Sequence, residues 1–106
     1  MKPIFQNPLL LEEIDRNGYV VVPLLNGSQV DRLRRLYAEF IDEAAISNLY
    51  ESSRHNSLET NERINEAIYV ELLDAGKSLF KSCEVYGGTF MVKSCKDSTL
   101  LPIHQD

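Results

Sequence analysis

Residues 8–16 place Leu9, Leu10, Glu13 and Ile14 at helical spacing, and Pro8 suits a first turn that needs no amide hydrogen there. Asn17-Gly18 reads as the stop, because both residues tolerate the left-handed conformation of a helix C-terminus. The run Tyr19-Val20-Val21-Val22 is β-branched and aromatic and predicts a strand. Being apolar on both faces, it is expected in a sheet interior, with Pro23 ending it or marking an edge. Asn26-Gly27-Ser28 predicts a turn, and Ser28 with Asp31 forms a loose capping box. The stripe Val30, Leu33, Leu36, Tyr37, Phe40, Ile41 and Ala44 then predicts a long amphipathic helix. Arg32, Arg35, Glu39 and Asp42 lie off that stripe and read as a solvated face with pairs along the helix.

Residues 51–60 are polar and aperiodic and predict a loop, in which His55 reads as solvated. Helical spacing resumes from Asn61 to Phe80 through Ile64, Ala67, Ile68, Leu72 and Leu79, with Gly76 a candidate break. From Glu84 the period falls to two. Val85-Tyr86, Gly87-Gly88 and residues 89–93 predict a strand with a glycine bulge or tight turn at its start. Thr89, Met91 and Lys93 share one face of it, and Phe90 and Val92 the other. Residues 96–98 read as a loop and residues 100–106 as the opening of a further strand. Tyr19, Val21, Leu36 and Phe40 are expected in the core.

The length of 106 residues sets the scale at one small domain. Apolar residues at 43% and charged residues at 25% exclude a disordered tail, a collagen-like repeat and a disulfide miniprotein. A formal charge of −5 argues against non-specific nucleic-acid binding and against a polybasic membrane patch. Cys83 and Cys95 fit neither a redox pair nor a zinc pattern and read as reduced, partly buried thiols. With no targeting segment or apolar span in view, the expected location is cytoplasmic.

The chemistry sits at His104-Gln105-Asp106. In an extended chain, side chains two apart point to one face with Cα atoms about 6.5–7 Å apart. An imidazole and a carboxylate then converge on one metal ion, and that pair is two thirds of the two-His-one-carboxylate set of non-haem Fe(II) oxygenases.

The segment Gly88-Thr89-Phe90-Met91-Val92-Lys93, a short polar loop, and Leu101-Pro102-Ile103-His104-Gln105-Asp106 resemble the metal-binding opening of the phytanoyl-CoA dioxygenase family. Gly18-Tyr19-Val20-Val21-Val22 between a short and a long helix is similar to that family's N-terminal part. The resemblance implies an α+β fold: N-terminal helices over residues 1–83, then residues 84–106 as the first strands of a double-stranded β-helix (a jelly roll, cupin-like), the whole apparently truncated. It implies an Fe(II)- and 2-oxoglutarate-dependent dioxygenase that oxidises or hydroxylates a small organic substrate. His104 and Asp106 would be iron ligands, and Thr89 or Lys93 would meet the 2-oxoglutarate cosubstrate. The family's second iron-binding His and its 2-oxoglutarate-binding Arg lie beyond H-Q-D, so this chain alone is expected to be inactive. Two alternatives stay open: a non-catalytic helical interaction module, and a metal-dependent hydrolase that uses H-x-D.

Overall fold

The computed structural model describes residues 3–46 and 49–94. Helix α1 spans Pro8–Asn17, with Pro8 in its first turn and the Asn7 side chain accepting from the Leu9 amide. Gly18 closes it in the left-handed conformation at φ 79°, as the Asn-Gly stop predicts. Helix α2 spans Gly27–Phe40. Its cap is not the expected Ser28–Asp31 pair. Asn26 and Gln29 form the reciprocal box: the Asn26 side chain accepts from the Gln29 amide at 2.9 Å, and the Gln29 side chain accepts from the Asn26 amide at 2.8 Å. Asparagine caps as well as serine does, so the turn starts at the first residue able to hold it.

A single 3-10 turn, Glu43–Ala45, follows, and it leaves Ala44 exposed rather than on the α2 stripe. The polar stretch expected to be a loop is partly ordered. It contains β1 (Tyr50–Glu51), the one-turn helix α3 (Ser52–His55) and the start of α4 (Leu58–Leu79). Ser57 caps α4 by accepting from the Thr60 amide, which moves the helix start three residues ahead of the apolar spacing. Gly76 does not break α4. A Cβ there would come within 3.1 Å of Val85 Cγ2, so the bare backbone is the surface on which the returning chain lies.

After α4 the chain doubles back along the helix. Gly87 makes the turn at φ 111°, a conformation strained for any L side chain, and a Cβ there would also strike Asn65. Asn65 holds the turn by accepting from the Gly88 amide at 3.1 Å. The expected strand over residues 85–93 is shorter than its pattern. Two residues, Met91–Val92, form β2, antiparallel to β1 with Tyr50 opposite Val92 and Glu51 opposite Met91.

The core lies between α2 and α4 and is small. Among the described residues the buried apolar side chains are Phe5, Ile41, Ile64 and Ile68. Phe5 stacks on Phe80 at 5.5 Å, and Gln6 and Lys81 amides donate to Leu79 and Ile4 carbonyls, so the N-terminal segment is tied to the end of α4. Leu36 and Phe40 are half-buried. Tyr19 and Val21 are not core residues: both are exposed, and residues 19–22 form no strand because no strand lies beside them among the described residues. The architecture is thus a mixed α+β arrangement of helices and a two-stranded sheet. No helix among the described residues is long and apolar enough to cross a membrane. Cys83 is a free thiol but an exposed one, not partly buried as expected, because it lies in the chain reversal just after α4. Cys95, the loop at 96–98 and the strand expected at 100–106 lie outside the described residues.

Ile64 is fully buried and Val70, on the same helix, is 62% exposed. Ile64→Ala is expected to cost about 2–5 kcal/mol, against about 0.5 kcal/mol or less for Val70→Ala. Urea unfolding measures both, with the difference appearing in the midpoint at constant slope.

Candidate functional site

The strand that leads toward His104-Gln105-Asp106 is held by one buried hydroxyl. Ser52 is fully buried at the start of α3. Its Oγ accepts from the Phe90 amide at 2.8 Å and pairs with the Thr89 hydroxyl. Thr89 Oγ1 in turn accepts from the Ser53 amide at 3.1 Å, and the Ser52 amide donates to the Phe90 carbonyl at 2.9 Å. A helix of one turn has no internal partners for its first amides, and Thr89 supplies one from 36 residues away. The same bonds extend the β1–β2 ladder by one step and set the phase of residues 89–93. Phe90 and Val92 turn inward, Phe90 meeting the Tyr37 ring edge-on at 5.4 Å, and Thr89, Met91 and Lys93 turn outward. That is the division of faces expected from the alternation.

Thr89 and Lys93, the two candidate cosubstrate residues, therefore share a face, but their situations differ. The Thr89 hydroxyl is already engaged by Ser52 and Ser53. Lys93 is exposed and lines a cavity of about 300 Å³ with Glu43, Ile46, Val92 and Ser94. Glu43 accepts a 2.7 Å hydrogen bond from the Tyr37 hydroxyl, and this bond to a carboxylate pushes the Tyr37 pKa up to about 12. Tyr37 thus stays a proton donor throughout the physiological range, and Glu43 stands between the tyrosine and the cavity.

His55 packs locally. Its ring stacks on Tyr50 at 5.1 Å, and its Nδ1 lies 3.0 Å from the Glu51 amide, which donates to it. This contact closes the α3 turn over β1. Among the described residues no three His, Cys, Asp or Glu side chains come together as a metal site, and His104 and Asp106 lie outside the described residues.

On the opposite side, α2 and α4 are joined by a two-pronged ion pair. Arg32 Nε and Nη2 donate to the Glu71 carboxylate at 2.5 and 2.9 Å, and Gln29 Nε2 donates to the Glu71 carbonyl at 3.2 Å. The Arg32 hydrogen bonds hold the Glu71 pKa below the ordinary carboxylate range and raise that of Arg32. Arg32 is therefore not part of a purely solvated face. A groove of about 370 Å³ beside the pair is floored by Leu33, Leu36, Ala67 and Val70. At the other end of the interface Arg63 reaches Glu39 at 3.5 Å and lies over the Phe40 ring at 4.9 Å.

No protein-family model, curated protein or solved structure matches the chain.

Of the residues that organise this region, Ser52, Asn65 and Glu71 carried no weight in the sequence pattern. Glu71 had a usable signal: at i+7 from Ile64 and i+3 from Ile68 it stands on the apolar stripe, where an acid needs a partner. Ser52 and Asn65 had none, because their partners are 38 and 23 residues away.

Ser52→Ala strands the Phe90 amide and the Thr89 hydroxyl and is expected to destabilise the chain by about 1–3 kcal/mol. Amide exchange should rise first at residues 89–92, which NMR resolves residue by residue. The Arg32–Glu71 pair sets a pH dependence. The folded pKa of Glu71 is depressed, so its contribution is present above the ordinary carboxylate value and is lost as pH falls through the folded value. Glu71→Gln should lower stability at neutral pH and flatten the loss on the acid side, as urea midpoints taken across that range would record.

Proposed function

We propose that this chain carries the metal-ligand strand of an Fe(II)- and 2-oxoglutarate-dependent dioxygenase of the phytanoyl-CoA dioxygenase type, acting on a small organic substrate. The observation that carries the reading is the spacing of His104 and Asp106, two apart, at the end of the apolar approach Leu100-Leu101-Pro102-Ile103. The preceding strand supports it, with Phe90 and Val92 packed inward and Lys93 exposed beside a cavity. A jelly roll would be the sheet that this strand begins.

The donor set suits the ion. One imidazole and one carboxylate are the ligand types a ferrous ion takes while keeping positions open. His104 and Asp106 would hold it. A chelating cosubstrate that adds two oxygen donors to His104 and Asp106 would tighten the binding. When bound, the iron would couple oxidative decarboxylation of 2-oxoglutarate to oxidation of the substrate. Among the described residues, Lys93 would place an ammonium beside the cosubstrate's carboxylate. Thr89 would act through its bonds to Ser52 and Ser53, keeping Lys93 on the outward face.

Anaerobic titration with Fe(II), or with Co(II) as a spectroscopic stand-in, tests the reading. One weak site is expected. It should tighten in the presence of 2-oxoglutarate and be lost in both His104→Ala and Asp106→Ala. Lys93→Ala should reduce the tightening by about tenfold or less, the scale of one exposed ion pair. Metal binding that ignores 2-oxoglutarate would favour the hydrolase reading, and binding that survives both ligand substitutions would overturn the assignment altogether.

A further inference from the structure

Glu43 and Lys93 carry opposite charges and line one cavity of about 300 Å³, together with Ile46, Val92 and Ser94. Among the described residues no ion pair joins the two or ties either of them to a third residue. Each charge stands on a wall that is fixed from behind. The Glu43 wall is the 3-10 turn, closed by the Asp42 side chain, which accepts from the Ala44 amide at 3.1 Å. Tyr37 donates to Glu43 Oε1 at 2.7 Å, and the Tyr37 ring is itself packed edge-on against Phe90. The carboxylate is thus anchored by one oxygen, and Oε2 accepts no hydrogen bond among the described residues. The Lys93 wall is the end of β2, where Val92 pairs with Tyr50 of β1. Ile46 and Val92, both half-buried, add an apolar lining to the same cavity.

We propose that this cavity binds a small aliphatic zwitterion, an amine and a carboxylate on a short carbon chain, with Glu43 taking the ammonium end and Lys93 the carboxylate end. Such a molecule is the substrate class of the oxygenase, an assignment that rests on the reading given under Proposed function. The two charges exclude the simpler ligands. An anion that pairs with Lys93 meets a like charge at Glu43, and a cation that pairs with Glu43 meets one at Lys93. A zwitterion pairs with both, and its carbon chain lies against Ile46 and Val92. The volume stands at the lower end of the range for ligand sites, roughly 300–1,000 Å³, and so suits a molecule of a few carbons. The Lys93 ammonium has three donors, enough to serve this carboxylate and that of 2-oxoglutarate together.

NMR titration of the full chain, without metal or 2-oxoglutarate, tests the proposal. The probes are 4-aminobutyrate, butyrate and butylamine, which share a carbon chain and differ in their charged ends. The methyl signals of Ile46 and Val92 are expected to shift with 4-aminobutyrate at lower concentration than with either singly charged probe. Each end group should contribute up to about fivefold, the scale of one exposed ion pair. Glu43→Gln, which keeps an acceptor for Tyr37, should erase the advantage over butyrate. Lys93→Met, which keeps the apolar stem, should erase the advantage over butylamine. Tyr37→Phe frees Glu43 and should weaken 4-aminobutyrate binding without removing it. Equal response to all three probes would overturn the proposal, as would binding indifferent to Glu43→Gln and Lys93→Met. Absence of any shift would overturn it too, and would mean that the chain's own residues fill the cavity. Failure here would leave the iron titration untouched, and failure of the iron titration would leave a zwitterion site with no oxidation attached to it.

Discussion

The buried face of α4 is the constraint on which the rest of the structure depends. Ile64, Ile68 and Glu71 stand on successive turns of one helix and are its buried residues. Among the described residues Ile64 is the most completely enclosed apolar side chain. Ile68 bears on the returning segment so closely that a Cβ at Gly88 would come within 2.8 Å of it. Glu71 is clamped by Arg32 from α2. With four buried apolar side chains among the described residues, the core has little surplus, and the polar links at its margins carry a share that a larger domain would leave to packing.

Those margins are built from long-range bonds to short side chains. Ser52 fixes Phe90 and Thr89, Asn65 fixes Gly88, and Gln6 fixes Phe80. Each ties a turn or strand end back to a helix and satisfies a polar group there, the Phe90 amide being the one that is partly buried. The ladder between β1 and β2 is two residues long and would not persist unaided. It persists because Ser52 joins its last step to the start of α3.

This division explains what the sequence made legible. Local signals were reliable: Pro8 and Gly18 bracket α1, and the apolar stripes place α2 and α4. The alternation through residues 89–93 assigned the two faces correctly. Failures arose where a distant partner decided the outcome. Residues 51–60 were polar enough to read as a loop, yet Thr89 caps a helical turn there from 36 positions away. Gly76 is a helix breaker by propensity, but Val85 packs on its bare backbone and α4 runs on through it. Tyr19 and Val21 have core composition, and burial needs a neighbour that composition cannot supply. Of the candidate site, Thr89 and Lys93 were legible as sharing a face. The engagement of Thr89 by Ser52 was not, because nothing near residue 52 in sequence points to residue 89.

Among the described residues the chain has more strand-forming sequence than sheet. Among them the alternating run at 85–93 contributes Met91 and Val92 to β2 and Phe90 to one further step through Ser52, and the run at 19–22 contributes none. Extended apolar backbone gains little until an adjacent strand satisfies its amides and covers its face, so such segments act as acceptors for further strands. An oxygenase pocket needs several strands to exclude water around a metal. Ser52 and Thr89 tie the start of the 89–93 strand to α3, whereas no hydrogen bond among the described residues reaches residues 19–25. Strand addition beside residues 89–93 would carry the metal chemistry. Helix α4 supports the returning strand through Asn65 and Ile68 and holds α2 through Glu71.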